Sequence, residues 1–191
     1  MQKTFYENII SYFIKEECIS KEDKDLYIYA LKIMLRGITN FIIVITIGLL
    51  LGMLTESIVF FASFFLLRKF VGGLHAESYI VCFCSSILLF ALGMFAVKYA
   101  KCTSQLFFTL LFVSTVLIIC FSPVKNPNKP MNSKEFVVYK KISIITTTIL
   151  TFISILCFFV HKTSIGYSIV FSQTLVTILM ILGKIKTKND C

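Results

Sequence analysis

Six apolar segments, at residues 38–54, 57–67, 80–97, 104–122, 142–160 and 164–182, occupy most of the chain beyond residue 37. Crossing the hydrocarbon core of a bilayer takes roughly 20 predominantly apolar residues in a helix. In lipid every backbone polar group has to be satisfied internally, which a helix does within one segment. The pattern therefore predicts an all-α, polytopic membrane protein with about six transmembrane or partly re-entrant helices. Composition agrees, with 57% hydrophobic and only 15% charged residues, where soluble domains carry about 25% charged. The second segment, SIVFFASFFLL, has 11 residues. To cross, it has to borrow Thr55 on one side and Phe70 to Leu74 on the other.

Charge sets the expected orientation. With six crossings and both termini inside, the outer pieces hold only Lys98, Lys101 and Lys162, and the other sixteen Lys and Arg are cytoplasmic. Such a bias is the ordinary origin of basic loops in membrane proteins, so the net charge of +9 gives no reason to expect a nucleic-acid partner. The first 36 residues are polar and amphipathic, with no early apolar core, so no signal peptide is expected. They divide the chain into N-terminal cytoplasmic or interfacial helices (1–36) and a six-span membrane domain (37–191). Phe5, Ile9, Tyr12 and Phe13 give one apolar face, suited to a helix lying on the membrane. Ser20, followed by Glu22 and Asp23, resembles a helix start, and the helix it opens can run on into the first span.

All three prolines fall in SPVKNPNKP, residues 122–130. Proline removes a backbone donor and biases its predecessor away from helix. The fourth span must end there, and a rigid, basic cytoplasmic loop is expected to follow, through Lys141. None of the ten acidic residues lies in a predicted span, which counts against proton- or sodium-coupled transport.

The stretch RKFVGGLHAESYIVCFC, residues 68–84, gathers Arg68, Lys69, Gly72, Gly73, His75, Cys82 and Cys84 between two apolar segments. On one straight helix His75 and Cys82 would share a face about 10 Å apart, too far for a thiol–imidazole hydrogen bond. They can pair only if the backbone folds back between them or if two chains share a site. Gly72 and Gly73 supply the freedom for such a fold. His75 is therefore expected on a non-helical or re-entrant piece and Cys82 in the first turns of the third span. In that arrangement a thiolate is the nucleophile, and the imidazole takes its proton and later protonates a leaving amine. Arg68 and Lys69 favour the thiolate. Cys84, about 200° further round the helix, faces elsewhere.

Blander readings compete. A histidine at a span end can be an interface residue, and a glycine pair can serve close helix packing. His75 and Glu77 with the two cysteines loosely resemble a zinc deaminase signature, but that pattern needs C-x-x-C, whereas C-x-C on a helix points the thiols apart. Seven cysteines without a C-x-x-C pair suggest neither a zinc ribbon nor a disulfide framework. No metal or other cofactor is expected.

Taken together, Arg68, the GG-L-HA run from Gly72 to Ala76, Cys82 seven residues after the histidine, and the NKP-containing loop resemble the AgrB-type accessory gene regulator family. These are membrane cysteine endopeptidases of Gram-positive quorum sensing. Length, six apolar segments and basic loops are similar along most of the chain. The resemblance implies a multi-pass protein of the cell membrane with its active site on the cytoplasmic side, and a homodimer. It implies an AgrD-like propeptide as substrate, with Cys82 attacking the carbonyl at the end of the signal segment and His75 serving as base and then acid. The tail leaves, and the propeptide's own cysteine closes a thiolactone, or a serine a lactone. Charge adds that Lys125, Lys129 and Arg68 could attract an acidic tail. The alternative is a non-catalytic membrane protein, either a peptide exporter or a scaffold partner of a sensor.

Overall fold

The computed structural model describes residues 2–16, 20, 22–73, 79–99, 103–124 and 132–189. Every regular element among them is an α-helix: α1 Gln2–Lys15, α2 Lys24–Leu51, α3 Leu54–Val71, α4 Tyr79–Tyr99, α5 Ser104–Phe121, α6 Ser133–Phe159 and α7 Thr163–Asn189. Each of the six apolar segments falls largely within one helix from α2 to α7. Four of these, α2, α5, α6 and residues Thr163–Ile185 of α7, are long and apolar enough to cross a membrane. The chain divides into two compact units, Met1–Ile43 and Val44–Cys191.

In the first unit, α1 buries Ile10 and leaves Tyr12 and Phe13 exposed. The helix expected to open at Ser20 opens three residues later: the Ser20 hydroxyl accepts the Glu22 N–H at 3.1 Å in a turn ahead of it, and the first helical bond runs from the Tyr27 N–H to Asp23 O at 3.1 Å. From there α2 runs 28 residues, about 42 Å at 1.5 Å per residue, so the polar start and the first apolar segment form one helix.

In the second unit, α7 is the element the others pack on; α3, α4, α5 and α6 all contact it. Half of its apolar stretch is buried, against 22% for α5 and for α6. Leu67 and Val71 of α3, Ile118 of α5, Val124, Leu150 of α6, and Ile169, Val176 and Met180 of α7 form one core cluster. A second joins Val44, Phe60, Phe90 and Met94. At the far end Phe107 stacks on Phe158 at 4.8 Å and meets Tyr167 edge-on at 5.1 Å. Lipid tails are as apolar as leucine, so such packing works by close contact and by hydrogen bonds between helices rather than by escape from water. The polar part of that packing lies on α5, α6 and α7. Thr115 and Thr151 hydroxyls meet at 2.9 Å, and the Ser122 and Ser143 hydroxyls at 2.7 Å. Gln173, fully buried, donates Nε2 to Thr151 Oγ1 at 3.3 Å.

Two boundaries in the second unit differ from the sequence reading. The short second segment did gain residues at both ends, but α3 stops at Val71 rather than Leu74 and spans 18 residues, about 27 Å. The stretch from 133 to 141 is helix, where a basic loop was expected. A capping box is the cause: the Asn132 side chain accepts the N3 backbone N–H, and Glu135 Oε2 accepts the Asn132 N–H at 3.1 Å. Two orphan donors are thereby satisfied ahead of the apolar run. At its other end α6 closes in a Schellman turn, with the Lys162 N–H on Cys157 O at 2.9 Å and the His161 N–H on Phe158 O at 3.3 Å. His161 takes the left-handed position, with φ 61°, and is exposed.

Candidate active site

The link between α3 and α4 begins with a break in the helix. Gly72 closes the last turn of α3 by donating to Arg68 O at 3.3 Å, and then leaves helical geometry with φ 77° and ψ −154°. Gly73 follows with φ 125°. Helix C-termini leave carbonyls without intrahelical partners, and here two are provided for. Val71 O accepts the Val124 N–H at 3.0 Å from the segment after α5, and Gly72 O accepts Arg68 Nη1. The guanidinium thus reaches forward over its own helix end and ties down the turn.

Glycine is required at both positions by closeness as well as by conformation. A Cβ on Gly72 would lie 2.7 Å from Val124 O, and one on Gly73 would lie 2.8 Å from Leu179 O of α7 and would also meet the Arg68 guanidinium. The turn is therefore seated against two backbone segments, over the buried side chains of Leu67, Val71, Val124 and Met180. The sequence announced a turn at the glycine pair. Its partners, Val124 and Leu179, lie 52 and 106 residues beyond Gly72 and Gly73, and no short-range pattern pointed to them.

Cys82 is the fourth residue of α4, in its first turn, as expected. Cys84 lies two residues on, about 200° round the axis. His75, Lys125 and Lys129 lie outside the described residues. Lys69 is exposed, with Nζ 5.5 Å from the Phe70 ring centroid. Phe70 meets Tyr139 of α6 at 5.8 Å, so this end of the bundle carries the glycine turn and the basic first turns of α6. Lys184 Nζ sits 4.2 Å from the Phe121 ring centroid. Among the described residues no group of three His, Cys, Asp or Glu side chains is placed to hold a metal ion.

An all-α chain with several membrane-length helices, and with a seated glycine turn leading towards a cysteine at the start of the next helix, defines a multi-pass membrane protein with a candidate thiol site at one end of its bundle. The family model described as Accessory gene regulator B matches residues 6–181, and the chain belongs to that family. It is 31% identical over 166 residues to an AgrB-like protein of Clostridium perfringens, covering 83% of this chain and 77% of the relative. Identity to protein FsrB of Enterococcus faecalis is 27% over 163 residues, 84% of this chain and 64% of the relative. With accessory gene regulator protein B of Staphylococcus aureus it is 26% over 125 residues, 65% and 67% of the two chains. No solved structure matches. Membership supports a role in accessory gene regulator quorum-sensing processing and implies an association with an AgrD-like propeptide.

Proposed function

We propose that this protein is a membrane cysteine endopeptidase that removes the C-terminal tail of an AgrD-like propeptide and promotes closure of a thiolactone or lactone ring. The observation that carries the reading is the helix break at Gly72 followed by Cys82 in the first turn of α4. A turn at this point, ahead of the thiol, supports a backbone that changes direction before α4, as a pairing of His75 with Cys82 calls for.

His75 takes the Cys82 proton, and the thiolate adds to the carbonyl that joins signal segment and tail. The first four N–H groups of a helix lack intrahelical acceptors, and those of Tyr79 to Cys82 are the donors suited to the resulting oxyanion. Collapse breaks the C–N bond, with His75 delivering its proton to the leaving amine. The acyl group stays on Cys82 as a thioester. The propeptide's own thiol, deprotonated in turn, displaces Cys82 to form the ring. Thioester exchange is close to isoenergetic while hydrolysis is strongly downhill, so a site recessed from water favours the internal nucleophile. Arg68 acts as a positioning residue through the carbonyl of Gly72, and Lys69, Lys125 and Lys129 supply positive potential for an acidic tail. In this reading residues 1–36 lie at the membrane surface and residues 37–191 form the endopeptidase domain. Both termini and the site face the cytoplasm, and the protein works as a homodimer in the cell membrane.

The test is co-expression with the propeptide. Cys82→Ala is expected to abolish tail release and Cys84→Ala to spare it, with a propeptide thioester on Cys82 detectable by mass spectrometry when the propeptide cysteine is replaced by alanine. A non-catalytic exporter would tolerate Cys82→Ser and still move peptide; that result would end the enzymatic reading.

A further inference from the structure

We propose that the first turns of α6 form a binding site for an anionic phospholipid headgroup, held between Lys134 and Lys141. The inference is independent of the catalytic reading.

The exposed face of α6 carries it. Ile145, Ile149, Phe152, Leu156 and Phe159 are exposed, an unbroken apolar stripe at helical spacing. The same stripe continues through exposed Lys141, then Val138 and Val137, 53% and 66% exposed, and then exposed Lys134. From Phe159 to Lys141 the helix rises about 27 Å, close to the roughly 30 Å hydrocarbon core. Lys141 therefore stands at the edge of the core. Lys134 lies about 10 Å further along the axis, past a headgroup layer that adds about 5–7 Å on each side. Two cations thus bracket the headgroup layer, with two exposed valines inside it.

The valines decide the partner. Lysines alone would suit any anion, but bare apolar side chains on the lipid-facing stripe suit a ligand whose charge and acyl chains arrive together. Exposed Lys140 flanks the site, and the Phe70–Tyr139 contact brings exposed Lys69 to the same rim. Among the described residues of the second unit, the acids are Glu56, in the first turn of α3, and Glu135, engaged in the capping box. An acidic peptide in water would approach from the aqueous end and leave the valines bare.

The experiment uses the full-length protein in nanodiscs containing equal parts of phosphatidylglycerol and phosphatidylcholine, followed by gentle detergent extraction and mass spectrometry of the lipid retained. Phosphatidylglycerol is expected to be enriched several-fold. The enrichment should fall by up to about five-fold in Lys134→Gln or Lys141→Gln, vanish in the double variant, fall with added salt in the unaltered protein, and stay unchanged in Lys162→Gln. Melting curves identify a variant that failed to fold, and the salt series tests the site without any substitution. Equal retention of the two lipids, or undiminished enrichment in the folded double variant, would overturn the proposal. So would displacement of the lipid by excess inorganic phosphate or by an acidic peptide.

Discussion

Alanine at residue 72 tests how the site is built. The glycine has φ 77° and ψ −154°, a region that is essentially glycine-only and costs other residues about 1–3 kcal/mol. The new Cβ would also sit 2.7 Å from Val124 O, and forcing backbone apart in a packed core costs about 1–3 kcal/mol more. The sum, about 2–6 kcal/mol, is a large share of a typical net stability of about 5–15 kcal/mol. The least expensive relief is local: the Val71–Val124 hydrogen bond opens and the turn leaves its seat. Each 1.4 kcal/mol is about tenfold in an equilibrium, so even the lower figure lowers the ratio of closed to open turns by about 30-fold. Two comparisons separate the causes. Gly52 has φ 68° with nothing within 4 Å of its Cβ position, and Gly37 has neither a positive φ nor a close neighbour. Gly52→Ala therefore carries strain without overlap, and Gly37→Ala gains helix propensity by up to about 1 kcal/mol. The assay is the rate of propeptide tail release in proteoliposomes, with amide exchange at Val124 as a readout that needs no activity. Gly72→Ala is expected to lower release at least about tenfold and to accelerate Val124 exchange below the melting temperature. Unchanged exchange and release in Gly72→Ala, or equal damage from Gly52→Ala, would refute the reasoning.

Three substitutions elsewhere probe the bundle. Gln173→Leu gives up two long Nε2 hydrogen bonds, at 3.3 and 3.5 Å, worth about 0.6 kcal/mol each in a membrane protein. It also removes a buried Oε1 with no partner among the described residues, a cost of about 1–3 kcal/mol, so the melting temperature in detergent should rise. Asn132→Ala removes a helix cap and should lower stability by about 1 kcal/mol, read as a lower melting temperature and faster amide exchange in the first turn of α6. His161→Gly relieves a left-handed residue at the α6–α7 turn and should stabilise by about 0.5–1 kcal/mol after the entropy of glycine is allowed for, measurable in the same melting experiment.

The helices were legible because each apolar segment is bounded by charge, glycine or proline, and in lipid such a segment has few alternatives to a helix. The end of α5 at Phe121 follows directly from SPVKNPNKP. Lysines at 134, 140 and 141 made residues 133–141 read as loop. The asparagine and glutamate that cap the helix are local signals and were present in the sequence, but they were outweighed by charge. The glycine turn and the place of Cys82 in α4 were also local. What seats the turn was not, because Val124 and Leu179 act on it through backbone atoms, which no side-chain pattern singles out. The pairing of His75 with Cys82 rests on the proposed chemistry.

The position of α7 governs when the bundle can become competent. Every helix from α3 to α6 packs against it, yet it follows all of them in chain order. Gly73 rests on the carbonyl of Leu179, so the seat of the turn ahead of His75 consists of Val124 alone until α7 has left the ribosome and entered the membrane. A nascent chain halted after α6 would have Val124 against Gly72 but nothing against Gly73 from Leu179. The finished turn, on this geometry, is withheld from the incomplete polypeptide.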